Sequence, residues 1–427
     1  MTTMGIAAPS PLRESMPLKH VAAAVIGNAL SFYDFLTYSF FSIQIGHAFF
    51  PSKDPAVSLL ASLGVFGVGF VGRPIGSIVI GTMGDRIGRK PAMILSFTML
   101  GCAIVGLALT PSYAAIGIAA PILAIVFRLL QGFALGGEVG PTTAFLLEAA
   151  PPNRRGFYTS MQATTQDFAI LCAGLVGVVL AHALSPETFD AYGWRIAFLI
   201  GAAIVPFGLL IRRSLPETLH AARPVAQEPG GVRNYLPIAF LGFAMLASAT
   251  ITSYLLTYMT TYATDTLRLP VQLSFWATIV NGGCGVVFDS LSGWLSDRVG
   301  RKPIMITCWT LMLILAVPCY AAMVRAPSAT TLLGATAVLS VLAAFGGTPI
   351  VIALTEALPA RIRSGTLAIT YAFAISIFGG SAQAIVKTLI VITHNPLAPA
   401  WYWTGAMVVG LAGMIAMRET APRRKAV

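Results

Sequence analysis

Charged residues are scarce in this sequence. Only 10% of its 427 residues are Asp, Glu, Lys or Arg, whereas 56% are hydrophobic. Because soluble domains contain roughly 25% charged residues, this composition argues against a water-soluble fold. The apolar residues form repeated runs that are long enough to cross a hydrocarbon core of about 30 Å. The composition therefore predicts an integral membrane protein with many spans.

Cysteine is also rare, and the patterns of common enzyme sites are missing. The five cysteines lie within apolar runs and none has C-x-x-C spacing, so neither disulfides nor a metal site is indicated. The sequence has no H-E-x-x-H, G-x-S-x-G or P-loop pattern, which argues against a hydrolase or a nucleotidase. We therefore expect a protein that is not an enzyme and has no cofactor.

The formal net charge of +11 raises the question of nucleic acid binding. The basic residues fall in alternate loops between the apolar runs and do not form a patch with interleaved aromatics. Loops rich in Lys and Arg stay on the cytoplasmic side of a membrane. We expect no nucleic acid partner, an even number of spans and both termini in the cytoplasm. The first apolar run is too long for the core of a signal peptide, so we predict a retained helix.

Breaks at charged, Pro and Gly residues separate twelve apolar runs. They lie near 21–46, 57–82, 91–110, 114–147, 157–183, 194–213, 236–263, 272–296, 303–324, 329–356, 364–393 and 400–418. We predict an all-α membrane protein with these parts: segment 1–20, a first six-helix bundle over 21–213, a linker over 214–234, a second bundle over 235–418 and a tail over 419–427.

A loop motif occurs twice in the chain. Residues 81–91 read GTMGDRIGRKP and residues 293–303 read GWLSDRVGRKP. A looser pair, Glu148 before Arg155-Gly156 and Glu356 before Arg363-Ser-Gly365, recurs at nearly the same separation. Two motifs at nearly one offset indicate that a six-helix unit has been duplicated. Transporters built from such repeats bind their substrate between the two halves.

The paired G-x-x-x-D-R-x-G-R-K loops resemble the signature of the major facilitator superfamily, and RLLQG at 128–132 resembles its second motif. Several stretches resemble the metabolite:proton symporter family of bacterial inner membranes: YDF at 33–35, RPIG at 73–76, GGE at 136–138 and GWR at 193–195. Within that family, GN at 27–28, TEALP at 355–359 and FGG at 378–380 are similar to citrate and tricarballylate carriers. Asp167, Asp289 and Lys387 depart from the citrate pattern.

The resemblance implies two pseudo-symmetric six-helix bundles that work by alternating access in a bacterial inner membrane. It implies that the partners are protons, a small organic acid and membrane lipid, and that the chain is a monomer. The predicted substrate is a tricarboxylate or dicarboxylate such as citrate or tricarballylate. Relatives in the same family carry 2-oxoglutarate, shikimate, proline or betaine, so these remain open, as does a membrane sensor that does not transport.

Ionisable residues inside a span are costly and are functional candidates for that reason. They are Asp34, Arg73, Arg128, Glu138, Asp167, Asp289 and Lys387. Because a guanidinium fork matches a carboxylate, we predict that Arg128 binds the substrate carboxylate; the alternative is a structural pair with Glu138 or with backbone. Lys387 is a second candidate cation, unless its side chain reaches toward the membrane interface.

Proton coupling requires a carboxyl group that changes its protonation as its surroundings alternate between dry and wet. We predict Asp34 for this role; the alternative is a fixed salt bridge with Arg73 or Arg128. Glu138 and Asp167 are the other candidates, and Arg73 belongs to the same group. We place Asp289 near the cytoplasmic end of its helix, where a gate or a wetted vestibule is one reading and a proton site is the other.

The duplicated loops are predicted to latch the helices together on the cytoplasmic side; the alternative is a topology signal only. The latch residues are Asp85, Arg86, Arg89, Asp297, Arg298 and Arg301, with Glu148, Arg155, Glu356 and Arg363 beside them. Uncharged polar residues at helical spacing are candidate substrate contacts, although each also suits an interhelical hydrogen bond. They are Asn28, Tyr33, Gln162, Gln166, Tyr254, Tyr258 and Asn281.

Overall fold

The structure is a computed structural model that describes residue 29 and residues 32–87, 89–136, 146, 150–151, 154–214, 236–358 and 360–421. All regular elements in these ranges are helices. We number the principal ones α1 to α12 in chain order. The predicted segment 1–20 lies outside the described residues, as does the predicted linker after Ser214, and the predicted tail is described as far as residue 421.

The first half of the chain contributes α1 to α6. Helix α1 comprises 32–40 and Ser42–Phe49, with a turn at Phe41 between them. The other bounds are Pro55–Arg86 for α2, Arg89–Leu109 for α3, Ala119–Leu135 for α4, Arg155–Ala183 for α5 and Trp194–Ser214 for α6. A helical turn at Tyr113–Ile116 precedes α4, and Pro186–Thr188 with the π-helical Phe189–Gly193 precedes α6.

The second half contributes α7 to α12. Their bounds are Leu236–Asp265 for α7, Val271–Val299 for α8, Arg301–Arg325 for α9, Ala329–Ala357 for α10 and Ala398–Ala416 for α12. Helix α11 has two parts, Ala360–Ala374 and Gly380–Thr393, joined by the π-helical Ile375–Gly379. Sequence analysis predicted one uninterrupted helix here. An apolar run does not reveal a change of backbone hydrogen-bond register, and π-helical turns occur inside α-helices often near functional sites.

Several helices are long and apolar enough to cross a membrane. Within the described ranges, seven segments meet both conditions: Pro55–Ile80, Arg155–Ala183, Leu236–Asp265, Val271–Val299, Arg301–Arg325, Ala329–Ala357 and Ile369–Thr393. Helices satisfy their own backbone hydrogen bonds, as a lipid environment requires. The prediction of a multi-pass α-helical membrane protein is therefore consistent with the structure. The run predicted over 114–147 is a shorter helix in the described chain, since α4 ends at Leu135.

Local signals fix the helix ends. Asp54 caps α2, because its Oδ1 accepts a hydrogen bond from the Ala56 amide at 2.8 Å. Ser328 and Thr331 form a capping box at the start of α10. Gly300 alone separates α8 from α9 and has a φ of 114°, a conformation that favours glycine. The second copy of the loop motif therefore needs a glycine at this position for its turn.

The two halves pack closely where α5 crosses α8. A Cβ atom on Gly156 would lie 2.5 Å from the Gly293 carbonyl oxygen, and one on Gly293 would lie 2.6 Å from the Gly156 oxygen. Small residues let helix backbones approach in this way inside a membrane. Helix α2 also meets α11 closely, since a Cβ on Gly67 would lie 2.4 Å from the Gly380 oxygen and one on Gly380 would lie 3.0 Å from the Gly67 oxygen. These crossings bring α5, α8, α2 and α11 together between the halves.

Candidate functional site

A cavity of about 170 Å³ lies between the two halves of the chain. Its walls come from α1, α5, α7, α8, α9, α10 and α11, and the apolar part of its lining includes Phe32, Leu36, Ile170 and Trp309. The polar side chains in the lining are Gln166, Asp167, Thr250, Thr252, Ser253, Tyr254, Asn281, Asp289, Ser340 and Tyr371. Four of the polar candidates from sequence analysis thus meet at one space: Gln166, Asp167, Tyr254 and Asn281. Asp289, predicted at the cytoplasmic end of its helix, lies in this central cavity instead, ten residues before the end of α8.

Two carboxyl groups face each other across the cavity wall. The side chains of Asp167 on α5 and Asp289 on α8 interact with one another, and the Asp167 carboxyl group lies against Gly285, one helical turn before Asp289. Thr348 on α10 donates a hydrogen bond to Asp289 Oδ1 at 2.7 Å. Asp289 is only 2% exposed, and its Oδ2 has no hydrogen-bond donor among the described residues. A buried carboxylate oxygen without a donor costs free energy. The contact between the two carboxyl groups is therefore unfavourable when both are ionised, and a proton shared between them would remove this cost.

Neutral hydrogen bonds hold the rest of the cavity wall. Ser340 on α10 donates to Asn281 Oδ1 on α8 at 2.8 Å. Tyr371 on α11 also interacts with Gln166 on α5, so these two residues link the halves. No Lys, Arg or His is among the described residues that line the cavity. The lining is therefore acidic and aromatic in this conformation.

Arg128 lies behind this wall in a second cluster, fully buried on α4. Its Nη1 donates to Gln131 Oε1 at 2.7 Å, and Gln131 Nε2 donates to Asp34 Oδ2 at 2.9 Å. The amide of Gln131 thus joins the predicted substrate-binding base to the predicted proton-binding acid. The two charges do not form the direct salt bridge that sequence analysis considered as an alternative. Sequence analysis missed Gln131 as a site residue, although its i, i+3 spacing from Arg128 places both on one helix face.

Aromatic rings separate the two buried arginines. The guanidinium carbons of Arg73 and Arg128 each lie 4.2 Å from the centroid of the Phe35 ring. Arg128 also lies 4.6 Å from the Tyr38 ring, and Arg73 lies 4.6 Å from the Phe70 ring. Such cation–π contacts stabilise a desolvated guanidinium. Since Arg73 also interacts electrostatically with Tyr254, which lines the cavity, Tyr254 connects the basic cluster to the cavity.

The remaining candidates lie elsewhere in the helices. Lys387 donates to Asp265 Oδ2 at 2.6 Å, and the two side chains are only 7% and 13% exposed. Tyr33 donates to the Ala197 carbonyl at 3.1 Å. Gln162 and Tyr258 are buried on α5 and α7 and are absent from the cavity lining. Asn28 and Glu138 lie outside the described residues.

The second copy of the loop motif forms an ionic cluster that also contacts the first half. Arg301 is fully buried; its Nη2 donates to Asp297 Oδ1 at 2.6 Å and to Glu356 Oε1 at 3.1 Å. Asp297 in turn accepts the backbone N–H groups of Gly156 and Phe157 at 2.9 and 3.1 Å. These two donors belong to the first turn of α5, where unpaired N–H groups attract an anion. Asp297 therefore links α8 to the start of α5 in the other half.

The structure describes only some of the other predicted latch residues. Arg298 lies over the ring of Trp294, 3.8 Å from its centroid, and Arg155 is the first residue of α5. The first motif copy is not described in the same detail: the side chains of Asp85, Arg86, Arg89 and Arg363, like all of Glu148, lie outside the described part of the chain.

Residues after α12 complete the ionic cluster, which sequence analysis did not predict. Glu419 accepts the backbone N–H groups of Arg301 and Lys302 at 3.0 and 2.9 Å, and Thr420 donates to Glu356 Oε2 at 3.0 Å. Burial opposes ionisation of Glu419, but its backbone N–H donors outweigh this effect and lower the pKa of the carboxyl. The segment that we predicted to be a tail thus caps α9.

An exposed pair lies at the opposite end of the helices. His47 Nδ1 lies 2.9 Å from Asp190 Oδ1, and the two side chains are 47% and 45% exposed. The hydrogen bond with Asp190 raises the pKa of His47. The pair joins the end of α1 to the π-helical turn before α6.

A cavity between two helical halves, with ionisable groups inside the helices, is typical of a membrane transporter. The chain belongs to the Major Facilitator Superfamily, whose family model matches residues 24–382. The predicted superfamily and fold are thereby confirmed. Members of this superfamily are transporters, so the chain is a transporter and not an enzyme.

Named relatives cover most of the chain. It is 35% identical to a citrate-proton symporter of Salmonella typhi over 90% of each chain. It is 32% identical to an alpha-ketoglutarate permease of Escherichia coli (strain K12), covering 93% of this chain and 92% of that one. A crystal structure of a D-xylose-proton symporter has the same fold, with a TM-score of 0.76, 18% identity and coverage of 95% and 98%. These relatives support a proton-coupled transporter.

Proposed function

We propose that the protein imports a small organic anion together with protons, most simply a tricarboxylate or dicarboxylate such as citrate or tricarballylate. The sequence relatives named for citrate and for alpha-ketoglutarate, at 35% and 32% identity, support this substrate class. The chain would work as a monomer in the bacterial inner membrane with both termini in the cytoplasm, in agreement with the distribution of its basic loops.

The observation that carries the proposal is the buried chain of Asp34, Gln131 and Arg128. The amide oxygen of Gln131 occupies one donor of Arg128 at 2.7 Å, the position that a substrate carboxylate would take. Its amide nitrogen holds Asp34 at 2.9 Å. When a carboxylate replaces the amide, Asp34 loses its donor and gains a negative neighbour, so it binds a proton more strongly.

This exchange couples the two fluxes by charge balance. The loaded and protonated cluster is close to neutral, which lowers the cost of closing the halves around it. The bundles then rock to the other side, the substrate leaves, and Asp34 releases its proton. The cation at Arg128 must become accessible from the cavity during this cycle, and Tyr254, which contacts Arg73, lies on the path between them.

A second candidate function is symport of a zwitterion. The described cavity lining contains Asp167 and Asp289, and it has aromatic side chains but no basic residue, which suits a cationic ammonium group. A relative that is 30% identical over 94% of this chain is named a glycine betaine/proline/ectoine/pipecolic acid transporter. The buried arginines would then bind the carboxylate of the same molecule.

Uptake into proteoliposomes with an imposed proton gradient tests both candidates. Purified protein is supplied with labelled citrate, tricarballylate, aconitate, succinate, 2-oxoglutarate or shikimate, and in parallel with proline or betaine. We expect accumulation of at least one organic acid that disappears when a protonophore collapses the gradient. Accumulation of the zwitterions alone would favour the second candidate, and accumulation of neither group would refute both.

A further inference from the structure

The carboxyl pair of Asp167 and Asp289 has a position that the cycle above does not use. Asp167 belongs to α5 in the first half, and Asp289 belongs to α8 in the second. Both line the cavity at the place where these helices cross. A contact between them therefore connects the halves directly, and its strength affects whether the cavity can open.

The contact requires a proton. Two ionised carboxylates are acceptors only, so a hydrogen bond between Asp167 and Asp289 exists only when one of them is protonated. Asp289 Oδ1 already accepts from Thr348, and its buried Oδ2 lacks any other donor within the described chain. Loss of the proton would leave two negative charges side by side, and each would then need water. Water can reach them when the cavity opens.

The other groups around the pair do not supply a counter-charge. Helix α8 contributes the Cys284 thiol, which interacts with Asp167, and α10 contributes the neutral Thr348. The phenols of Tyr254 on α7 and Tyr371 on α11 line the same cavity, as does the Gln166 amide on α5. Among the described residues of this lining there is no Lys, Arg or His. A proton can therefore neutralise the charge of this carboxyl pair, which has no basic side chain beside it in the described lining.

The backbone of α8 is adapted to this contact. Gly285 lies one helical turn before Asp289, and a Cβ atom there would overlap the Asp167 carboxyl group. Any side chain at this position would push Asp167 away from Asp289. Gly283 on the same helix has no atom within 4 Å of its Cβ position, so it offers a matched control.

We propose that Asp167 and Asp289 share a proton and form a clasp between the two halves, which holds α5 against α8 when protonated and releases them when deprotonated. The inference rests on the proposed proton-coupled function and adds to it a protonation site distinct from Asp34. Protonation of Asp34 depends on the bound substrate. Protonation of the clasp depends on the pH of the solution to which the cavity is open.

The test measures separation of the halves as a function of pH. Spin labels are attached to Cys-free full-length protein in lipid, in one sample at positions 183 and 268 and in another at 154 and 299, which are exposed ends on opposite halves. Pulsed electron paramagnetic resonance then gives the distances. For the unaltered clasp we expect one of the two label pairs to move apart as the pH rises.

Substitutions identify the groups responsible. In Asp289→Asn the amide can donate a hydrogen bond to Asp167 at every pH, so the label distances should stay at their low-pH values throughout. Asp167→Asn should give the same result and replaces the first variant if that variant fails to fold. Asp167→Ala should remain separated at every pH, and Gly285→Ala should follow it, whereas Gly283→Ala should keep the original profile. If both Asn variants keep the original pH profile, the clasp is refuted.

The outcomes separate this inference from the proposed function. If the protein accumulates an organic acid but the Asn variants keep the pH-dependent distance change, the clasp is wrong and the symport stands. If the distance change disappears in the Asn variants but no organic acid is accumulated, the clasp stands and the proposed substrate class is wrong. In a working symporter, Asp289→Asn should also lose the response of uptake to the proton gradient.

Discussion

The carboxylate of Asp297 is expected to hold the two halves together at the end that carries the repeated loop. It accepts two backbone N–H groups of α5, from Gly156 at 2.9 Å and Phe157 at 3.1 Å, and its side chain is only 7% exposed. Asp297→Asn removes the charge and one acceptor oxygen. A hydrogen bond to a charged group contributes about 1.5–3 kcal/mol, so losing one shifts the equilibrium toward separation roughly ten- to a hundredfold.

Accessibility of the interface measures this shift. Ser160 is 1% exposed, and its side chain lies beside Gly293 of the other half, so a thiol in Ser160→Cys reacts with a maleimide only after separation. We expect Asp297→Asn to raise the labelling rate of that thiol at least tenfold in otherwise Cys-free protein. The fold should persist, because Arg301 keeps its bidentate partner Glu356. Asp190→Asn, which changes a carboxylate at the opposite end, is the control, and equal labelling rates in the two variants would refute the latch.

Four further predictions concern other charged groups. Arg128→Lys should weaken substrate binding about ten- to a hundredfold, because a point charge replaces neither the guanidinium fork nor its bonds to charged partners; isothermal titration that finds unchanged affinity would remove Arg128 from the site. Asp34→Asn should lose gradient-driven accumulation and keep part of the exchange activity in proteoliposomes, and normal accumulation would place the proton elsewhere. Asp265→Asn should destabilise the protein by about 3–5 kcal/mol by leaving buried Lys387 unpaired, and adding Lys387→Met should recover most of the thermal stability; a double variant that melts no higher than Asp265→Asn would contradict this explanation. Because Asp190 raises the pKa of His47, the pair stabilises the fold fully below the ordinary His pKa of about 6.5 and loses this effect as the pH rises through the raised value. For so exposed a pair the effect is about 0.2–1 kcal/mol, and a pH series of melting curves should show it vanish in His47→Ala.

The membrane fold follows from local features of the sequence. The helices were predicted from long apolar runs, from the scarcity of charge and from the repeated loop. Each of these features depends only on residues that are close in sequence. The helix positions therefore agree with prediction to within a few residues in most described spans. The glycine of the second motif copy illustrates the point, since Gly300 is required by a one-residue turn with a φ of 114°. The π-helical turn in α11 was missed because it changes hydrogen bonding without changing apolar character.

The pairing of buried charges depends on tertiary structure and could not be predicted in the same way. Lys387 was considered a second candidate cation, and its partner Asp265, 122 residues away, lies just beyond the apolar run predicted over 236–263. Asp167 and Asp289 were given separate roles, since nothing in either helix alone shows that α5 and α8 cross at these residues. The ion pair of Arg301 with Glu356 was easier to foresee, because both belong to motifs that recur in the chain.

The position of Glu419 has a consequence for how the protein is made. Arg301 begins α9, and its amide is capped by a carboxylate 118 residues later in the chain. During synthesis α9 can enter the membrane long before that residue has left the ribosome, so its first N–H groups must rely on water or lipid headgroups in the meantime. The ionic cluster is therefore completed only after α9 to α12 have been synthesised, when Glu419 and Thr420 become available for their contacts.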